Sequence, residues 1–113
     1  MSTGGEQASG GVIIRPHWLA MVREILQRHV PEREALAFGS RVTGGNRPFS
    51  DLDIAIAGDT PLDDATLFRL IETLEESDLP INVDVVQLAL AGPHINEAVA
   101  KHGVVIHTAG KSL

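Results

Sequence analysis

The 113-residue chain has room for one ordinary domain, since domains commonly contain about 100–150 residues. Its 43% hydrophobic and 21% charged residues exclude a disordered chain, and the lack of cysteine excludes disulfides and thiolate metal sites. The net charge of -6 argues against direct binding of nucleic acid, and no apolar run approaches the roughly 20 residues of a membrane helix. We therefore expect a cytoplasmic protein that binds neither nucleic acid nor a membrane.

The N-terminal residues include four glycines, two serines and one threonine among the first eleven positions. Such a segment buries too little apolar surface to offset the entropy of ordering. We predict a flexible tail over residues 1–11 and a single domain over residues 12–113.

A helix is predicted from Pro16, because apolar residues then recur every three or four positions and form one stripe. Proline suits the first turn of a helix, and Pro31 ends the segment. Trp18 lies on the apolar stripe, so we expect its side chain in the core rather than against a ligand.

Two short strands flank a polar loop in the next part of the chain. Residues 35–38 form an apolar run that Gly39 stops, and the polar, Gly- and Pro-containing sequence that follows predicts a loop with at most one helical turn. Residues 51–57 alternate between apolar and other side chains, as a half-buried strand does. This alternation places Asp51 and Asp53 on the same face.

A second helix and a third strand follow. Thr60 is predicted to cap the helix, with Pro61 at its first position. Residues 81–88 are rich in β-branched residues and predict the strand. Asp84 interrupts this run, and we expect it to be a buried charge. Because burial of an unpaired charge is costly, its position indicates a carboxylate kept for function.

The C-terminal part predicts a last helix over residues 93–102 and a short closing strand over residues 104–107. The predicted fold is therefore α/β, with a small mixed sheet of three or four strands and helices packed on it. The predicted order is helix, strand, loop, strand, helix, strand, helix and short strand.

Three features share a chemical logic. Gly39 lets the backbone approach a ligand closely, and the amides and hydroxyl that follow at Ser40 can donate to phosphate oxygens. Asp51 and Asp53 can chelate magnesium, which prefers hard oxygen ligands, and Asp84 can add a third carboxylate from a neighbouring strand. A Gly-Ser turn or an Asp-x-Asp pair alone is more often structural. Their combination with an isolated Asp in a Val-rich strand favours a nucleotide site.

The segments Gly39-Ser40-Arg41, Ser50-Asp51-Leu52-Asp53 and Val83-Asp84-Val85-Val86 resemble the signature of the DNA polymerase β-like nucleotidyltransferase superfamily. The chain is similar in particular to the minimal, MNT-type branch of that superfamily, over nearly all of the sequence beyond the tail. The resemblance implies the polymerase β-like nucleotidyltransferase fold. It also implies Mg²⁺-dependent transfer of a nucleotide from ATP to an acceptor hydroxyl, with release of pyrophosphate.

The resemblance further implies a role for each motif residue. The metal-binding and catalytic residues would be Asp51, Asp53 and Asp84, the last of which accepts the proton of the attacking hydroxyl. The nucleotide-binding residues would be Gly39, Ser40, Arg41 and Arg47. Many relatives carry a second basic residue at the position of Thr43, so this departure leaves the rate and the substrate preference open.

MNT-type proteins are typically antitoxins paired with a helical HEPN ribonuclease. The resemblance therefore implies AMP transfer to a tyrosine of a HEPN-type toxin, within a hetero-oligomer. We expect another protein to complete the acceptor site, because the sequence lacks the second domain with which antibiotic-modifying relatives hold small substrates. Two alternatives stay open: a non-catalytic antitoxin that neutralises its partner by binding, and a dimeric nucleotidyltransferase that modifies a small molecule.

Overall fold

The computed structural model describes residues 7–9 and 11–110 of the chain. The elements in chain order are β1 (Gln7–Ser9), β2 (Val12–Ile14), α1 (Pro16–His29), β3 (Ala35–Phe38), α2 (Ser40–Thr43), β4 (Leu52–Ile56), α3 (Asp64–Glu76), β5 (Val83–Gln87), α4 (Pro93–His102) and β6 (Val104–His107). The predicted α/β class is confirmed, and α2 is the single helical turn expected within the loop. No helix in these ranges is long and apolar enough to cross a membrane.

Four strands form one mixed sheet in the order β5-β4-β3-β6. β3 is antiparallel to both β4 and β6, whereas β4 and β5 are parallel. Parallel neighbours need a long crossover connection, which α3 supplies here. β1 and β2 pair with each other in a separate antiparallel ribbon. The sheet therefore leaves β5 and β6 as its edge strands.

The sheet separates two apolar clusters. The larger cluster contains Leu52 and Ile54 of β4 together with buried side chains of α1 and α3. The smaller cluster contains Phe38, Ala55 and Val99, the last of which belongs to α4. Thus α1 and α3 cover one face and α4 covers the other. Because side chains alternate along a strand, Asp53, two positions before Ala55, also projects on the α4 face.

The start of α3 differs from the prediction, since Asp63 and not Thr60 is its cap. The carboxylate of Asp63 accepts hydrogen bonds from the amide of Thr66 at 3.3 Å and from its hydroxyl at 2.6 Å, and these bonds lower the pKa of Asp63. The amide of Leu62 donates to Gln87 Oε1 at 2.6 Å. This bond ties the chain to the end of β5, and the helix begins only beyond it.

The N-terminal hairpin extends order into the segment that was predicted to be a tail. Gln7–Ser9 pair with Val12–Ile14, and the side chains of Val12 and Ile14 are fully buried in the larger cluster. The structure therefore differs from the predicted tail at β1. This strand pairs with β2, whose side chains belong to the core. Residues 1–6 and residue 10 of that predicted tail lie outside the described residues. The prediction that Trp18 lies in the core is confirmed.

Candidate active site

Three carboxylates come together where β4 and β5 begin. Asp53 of β4 lies opposite Asp84 of β5 in the parallel register, and adjacent strands are about 4.8 Å apart. Residues opposite each other project on the same face of a sheet. Asp51 precedes Asp53 by two positions, so it projects to the same side. We call Asp51, Asp53 and Asp84 the carboxylate trio.

The electrostatic strain of the carboxylate trio falls on Asp53. Its side chain is half-buried, whereas those of Asp51 and Asp84 are exposed. Burial raises the pKa of Asp53 above its ordinary value of 3.8, and the negative charges of Asp84 and then Asp51 raise it further. Each cause disfavours the ionised form, so a cation bound between these groups would relieve the strain.

The expectation that Asp84 is a buried charge is wrong. Its side chain is exposed, because β5 is an edge strand and Asp84 is only the second residue of that strand. The cost of burying a charge is therefore no argument that Asp84 has a function. Its position opposite Asp53 in the sheet is the observation that relates it to the carboxylate trio.

The carboxylate trio offers hard oxygen donors of the kind that magnesium prefers. Among residues 11–110, no three His, Asp or Glu side chains are close enough together to enclose a metal by themselves. Magnesium does not require such a cage, because it is usually bound by one or two carboxylates, with phosphate oxygens and water as its other ligands. The same-face pair Asp51 and Asp53 supplies two hard oxygen donors of this kind. The residues thus fit a magnesium ion that binds together with a triphosphate.

Gly39 brings the backbone against Asp53. It follows β3, has a φ of 83°, and its carbonyl accepts hydrogen bonds from the amides of Val42 and Thr43 at 3.0 and 3.1 Å. A Cβ added at Gly39 would overlap Asp53 Oδ2. Glycine is therefore needed both for the backbone conformation and for the carboxylate beside it. Ser40, half-buried, is the next residue and begins α2.

Arg41 does not face this site. Its side chain is fully buried, and its guanidinium donates to the carbonyl oxygens of Ser50 at 3.0 Å, Ile13 at 2.8 Å and Pro48 at 2.9 Å. A fourth contact reaches the carbonyl of Arg47 at 3.5 Å. Because these carbonyl groups occupy the guanidinium, the contacts do not support a role for Arg41 in nucleotide binding, and that role stays a prediction. Arg41 instead connects the loop before Asp51 to the N-terminal hairpin.

Arg47 remains available for a ligand. Its side chain is exposed on the loop between α2 and β4, and its backbone amide donates to Ser50 Oγ at 2.8 Å. Thr43, at the position where many relatives have a basic residue, is exposed, and its hydroxyl donates to the carbonyl of Gly39 at 3.3 Å. Thr43 therefore supports the turn and adds no positive charge near it.

Sequence reasoning missed two features of the site. It did not predict that the guanidinium of Arg41 donates to carbonyl groups of the loop before β4. No pattern in the sequence distinguishes an arginine with this structural role from one that binds phosphate. It also missed that Gly39 makes room for the carboxylate of Asp53. The sequence did contain a signal for the second feature, because a glycine at the end of a strand often marks a place where another group lies close to the backbone.

One family, described as Polymerase beta, Nucleotidyltransferase, matches residues 21–111 of the chain. The matched range includes the whole four-stranded sheet, the Gly39 turn and the carboxylate trio. The hairpin formed by β1 and β2 precedes it.

Individual relatives are also similar to this chain. It is 42% identical over 100 residues to the Probable protein adenylyltransferase MntA of Haemophilus influenzae, a match that covers 88% of each chain. A chain in a crystal structure of a toxin–antitoxin with AMP-PNP is 26% identical with a TM-score of 0.67, covering 80% of this chain and 73% of that one. A chain in the structure of a tri-AMPylated Shewanella oneidensis HEPN toxin in complex with MNT antitoxin is 25% identical with a TM-score of 0.61, covering 80% and 69% respectively.

The buried contacts of Arg41 lead to a stability prediction. Arg41→Lys should lower the free energy of unfolding by about 2 kcal/mol, because an ammonium cannot reproduce the fork of the guanidinium and leaves some of the carbonyl groups without their donor. Urea denaturation measures this loss, and the exposed Arg47→Lys is the control, expected to change stability by less than about 0.5 kcal/mol. Unchanged stability together with weakened ATP binding would assign Arg41 to the phosphates after all.

The strain on Asp53 leads to a second prediction. Because its pKa is raised in the folded state, the ionised group destabilises the fold progressively as the pH rises from 3.8 to the raised pKa, and by a constant amount above it. Without metal at pH 7, Asp53→Asn should therefore melt at a higher temperature than the wild type, and the difference should shrink as the pH falls toward 3.8. Thermal melts with a chelator measure this difference, with the exposed Asp59→Asn as control.

The same variant tests the metal site. With ATP present, Mg²⁺ should raise the melting temperature of the wild type and not that of Asp53→Asn. Equal stabilisation of both proteins would argue against a metal at Asp53.

The space at Gly39 leads to a third prediction. Gly39→Ala should lose nucleotide transfer, because its Cβ displaces the carboxylate of Asp53, and should lose about 1–3 kcal/mol of stability from the left-handed backbone. Gly45→Ala is the matched control in the same loop, where the nearest side-chain atom to an added Cβ is Ser40 Cβ at 3.9 Å. Activity assays and melts of both variants test this, and a fully active Gly39→Ala would contradict it.

Proposed function

The chain belongs to the polymerase beta nucleotidyltransferase family, and from this premise we propose that it is a magnesium-dependent protein adenylyltransferase. The observation that carries the proposal is the carboxylate trio, held at one end of the sheet against a turn that only glycine can form. ATP donates AMP, and the acceptor is a tyrosine hydroxyl of a HEPN-type partner. In this role the chain is the antitoxin of a two-protein module.

The relatives support both the donor and the partner. The Haemophilus influenzae protein is named as an adenylyltransferase of proteins, and the similarity extends over 88% of both chains. One similar structure contains AMP-PNP, and another contains a tri-AMPylated HEPN toxin with an MNT antitoxin. We place the activity in the cytoplasm, where ATP and magnesium are both abundant, and in a hetero-oligomer with the partner.

The binding roles follow from the position of each residue. Asp51 and Asp53 would hold magnesium together with the triphosphate, and Asp84 would complete this metal site. The backbone and hydroxyl at Gly39 and Ser40 would contact the phosphates, and the exposed Arg47 would add a positive charge from the neighbouring loop. When bound, magnesium supplies neutralisation of charge on the triphosphate and on the leaving pyrophosphate.

The transfer is a displacement at the α-phosphorus of ATP. The tyrosine oxygen forms a bond to that phosphorus, while the bond to the oxygen that bridges the α- and β-phosphorus breaks and pyrophosphate leaves with the electron pair. The carboxylate of Asp84 accepts the hydroxyl proton. Its exposure suits this role, because an acceptor carried by another protein must reach the carboxylate from outside.

Intact-mass spectrometry of the partner tests the proposal. When the chain and its cognate HEPN-type partner are incubated with ATP and Mg²⁺, the partner should gain about 329 Da for each AMP that is transferred with loss of pyrophosphate. Asp51→Ala combined with Asp53→Ala should abolish the gain, because no carboxylate pair remains to hold the metal with the triphosphate.

The same experiment separates catalysis from neutralisation by binding. If the mass of the partner never changes while its toxicity is still blocked, and the double variant blocks it equally well, the chain is a binding antitoxin. If free nucleosides or aminoglycosides gain AMP and the partner does not, the acceptor is a small molecule.

A further inference from the structure

The two edges of the sheet differ in how their backbone groups are covered. On β6, Arg23 Nε donates to the carbonyl of Ile106 at 2.9 Å. A Cβ added at Gly11, in the turn of the N-terminal hairpin, would lie 3.3 Å from Val104 Cγ2, and a register shift interrupts the pairing of β6 with β3. Bulges and covering groups keep an edge strand from pairing with another chain. β6 is therefore a protected edge.

β5 has no such cover among the described residues. It pairs with β4 continuously over all five of its residues, and it contains no lysine or proline. Its one charged residue, Asp84, belongs to the carboxylate trio. No strand of the described part of the chain lies beyond β5. We call β5 the open edge, because such a strand is a template for pairing with another one.

Two hydrogen bonds at the ends of the open edge show which of its backbone groups face outward. The carbonyl of Asn82 accepts from an amide of β4, and the amide of Leu88 donates to a carbonyl of β4, each at 2.9 Å. Because backbone groups of alternate residues face the same side of a strand, the even-numbered residues between these two also face β4. The amides and carbonyls of Val83 and Val85 therefore face away from the sheet.

A cavity of about 400 Å³ adjoins the start of the open edge. Its lining includes Leu79, Asn82 and Val83, together with Glu75 of α3. Val83 packs against the larger apolar cluster, so the cavity lies on the face of the sheet that α1 and α3 cover. Asp84 also borders the cavity, but its side chain projects on the other face with the carboxylate trio. The sheet thus separates this cavity from the proposed reaction.

One flank of α3 lies above the open edge. Glu76 lines a different cavity together with Met21 and Glu24 of α1, so Glu75 projects on the flank that faces away from α1. Phe68 precedes Glu75 by seven residues, or two helical turns, and therefore lies on the same flank. Its side chain is 64% exposed. This flank presents a carboxylate at the start of β5 and an exposed aromatic ring further along it.

We propose that an extended, positively charged segment of the partner protein docks here and adds a fifth strand to the sheet beside β5. This inference rests on the proposed function for the identity of the partner, and it adds where and how the partner binds. In strand addition, backbone hydrogen bonds supply affinity, and pockets for alternate side chains supply specificity. Val83 and Val85 supply the hydrogen bonds. The cavity takes a lysine or arginine, whose stem packs on Leu79 and whose charge meets Glu75, and Phe68 takes an apolar side chain.

Charge favours this occupant over a second copy of the chain. Glu75, Asp78 and Asp84 are exposed carboxylates around the start of the open edge, and the last turn of α3 contains no basic residue. Two copies joined along β5 would bring two such sets into one interface between chains that each carry a net charge of -6. A positively charged segment is instead attracted to these carboxylates.

Hydrogen exchange measured by NMR tests strand addition directly. In the chain alone, the outward amides of Val83 and Val85 should exchange fast, whereas the amides of Asp84 and Val86, which face β4, should exchange slowly. Binding of the cognate HEPN-type partner should slow exchange at positions 83 and 85 by at least about tenfold, because each amide gains an acceptor. Positions 84 and 86 are the internal controls and should change little.

Two variants and a matched control test the affinity for the partner, measured by calorimetry without ATP. Val85→Pro removes an outward amide and keeps the pairing with β4, and should weaken binding by at least about tenfold. Glu75→Arg should weaken binding by about tenfold, the scale of a close charge pair across an interface. Glu76→Arg makes the same change of charge on the flank that faces α1 and should bind like the wild type. Thermal melts establish that each variant is folded, and Glu75→Arg decides if Val85→Pro is not.

The outcomes separate this inference from the proposed function. If the wild type transfers AMP, but Glu75→Arg binds the partner like Glu76→Arg and the outward amides stay unprotected, the partner docks elsewhere and the inference is wrong. If the chain alone sediments as a dimer that Val85→Pro dissociates, β5 pairs with a second copy and the inference is equally wrong. If binding shows the expected losses and protection but the partner gains no AMP, the docking site stands and the proposed function fails.

Discussion

Mutual repulsion among Asp51, Asp53 and Asp84 is the constraint on which the rest of this structure depends. Burial raises the pKa of the half-buried Asp53 carboxylate, and the negative charges of Asp84 and Asp51 raise it further. The fold tolerates the repulsion because strand pairing fixes the backbone: Asp53 is paired on one side with Phe38 and on the other with Asp84. Relief comes only from a cation or a proton, so ligand binding and stability are coupled at this residue.

The buried guanidinium of Arg41 holds the loop that leads to Asp51 in place. Arg41 lies in the short helix after the Gly39 turn, and its guanidinium donates to the carbonyl groups of Ser50 and Pro48 just before β4. A buried charge is tolerated only when its donors are paired. Since one of the partners is the carbonyl of Ile13, the N-terminal hairpin also supports the loop that delivers Asp51. The loop before the carboxylates is thus held by backbone groups of the loop itself and of the distant N-terminal hairpin.

The two sides of the site differ in access. On the Gly39 side, the turn packs directly against Asp53 and leaves no room for even one additional carbon atom. On the Asp84 side, β5 is the last strand of the sheet and the carboxylate is exposed. The difference follows from strand order, because β4 lies inside the sheet between β3 and β5, whereas β5 has no strand beyond it.

The sequence by itself determined the elements of the sheet and its covering helices, because apolar periodicity is a local property that each segment carries independently. It also determined that Asp51 and Asp53 share a face, since alternation along a strand requires this. Only the tertiary structure decided that Arg41 is buried, that Asp84 is exposed, and that Asp63 caps α3. The burial of Arg41 involves the distant carbonyl of Ile13, the exposure of Asp84 follows from the edge position of β5, and Leu62, beside the cap Asp63, is bound to the distant Gln87. Local patterns do not encode which distant groups strand order brings together.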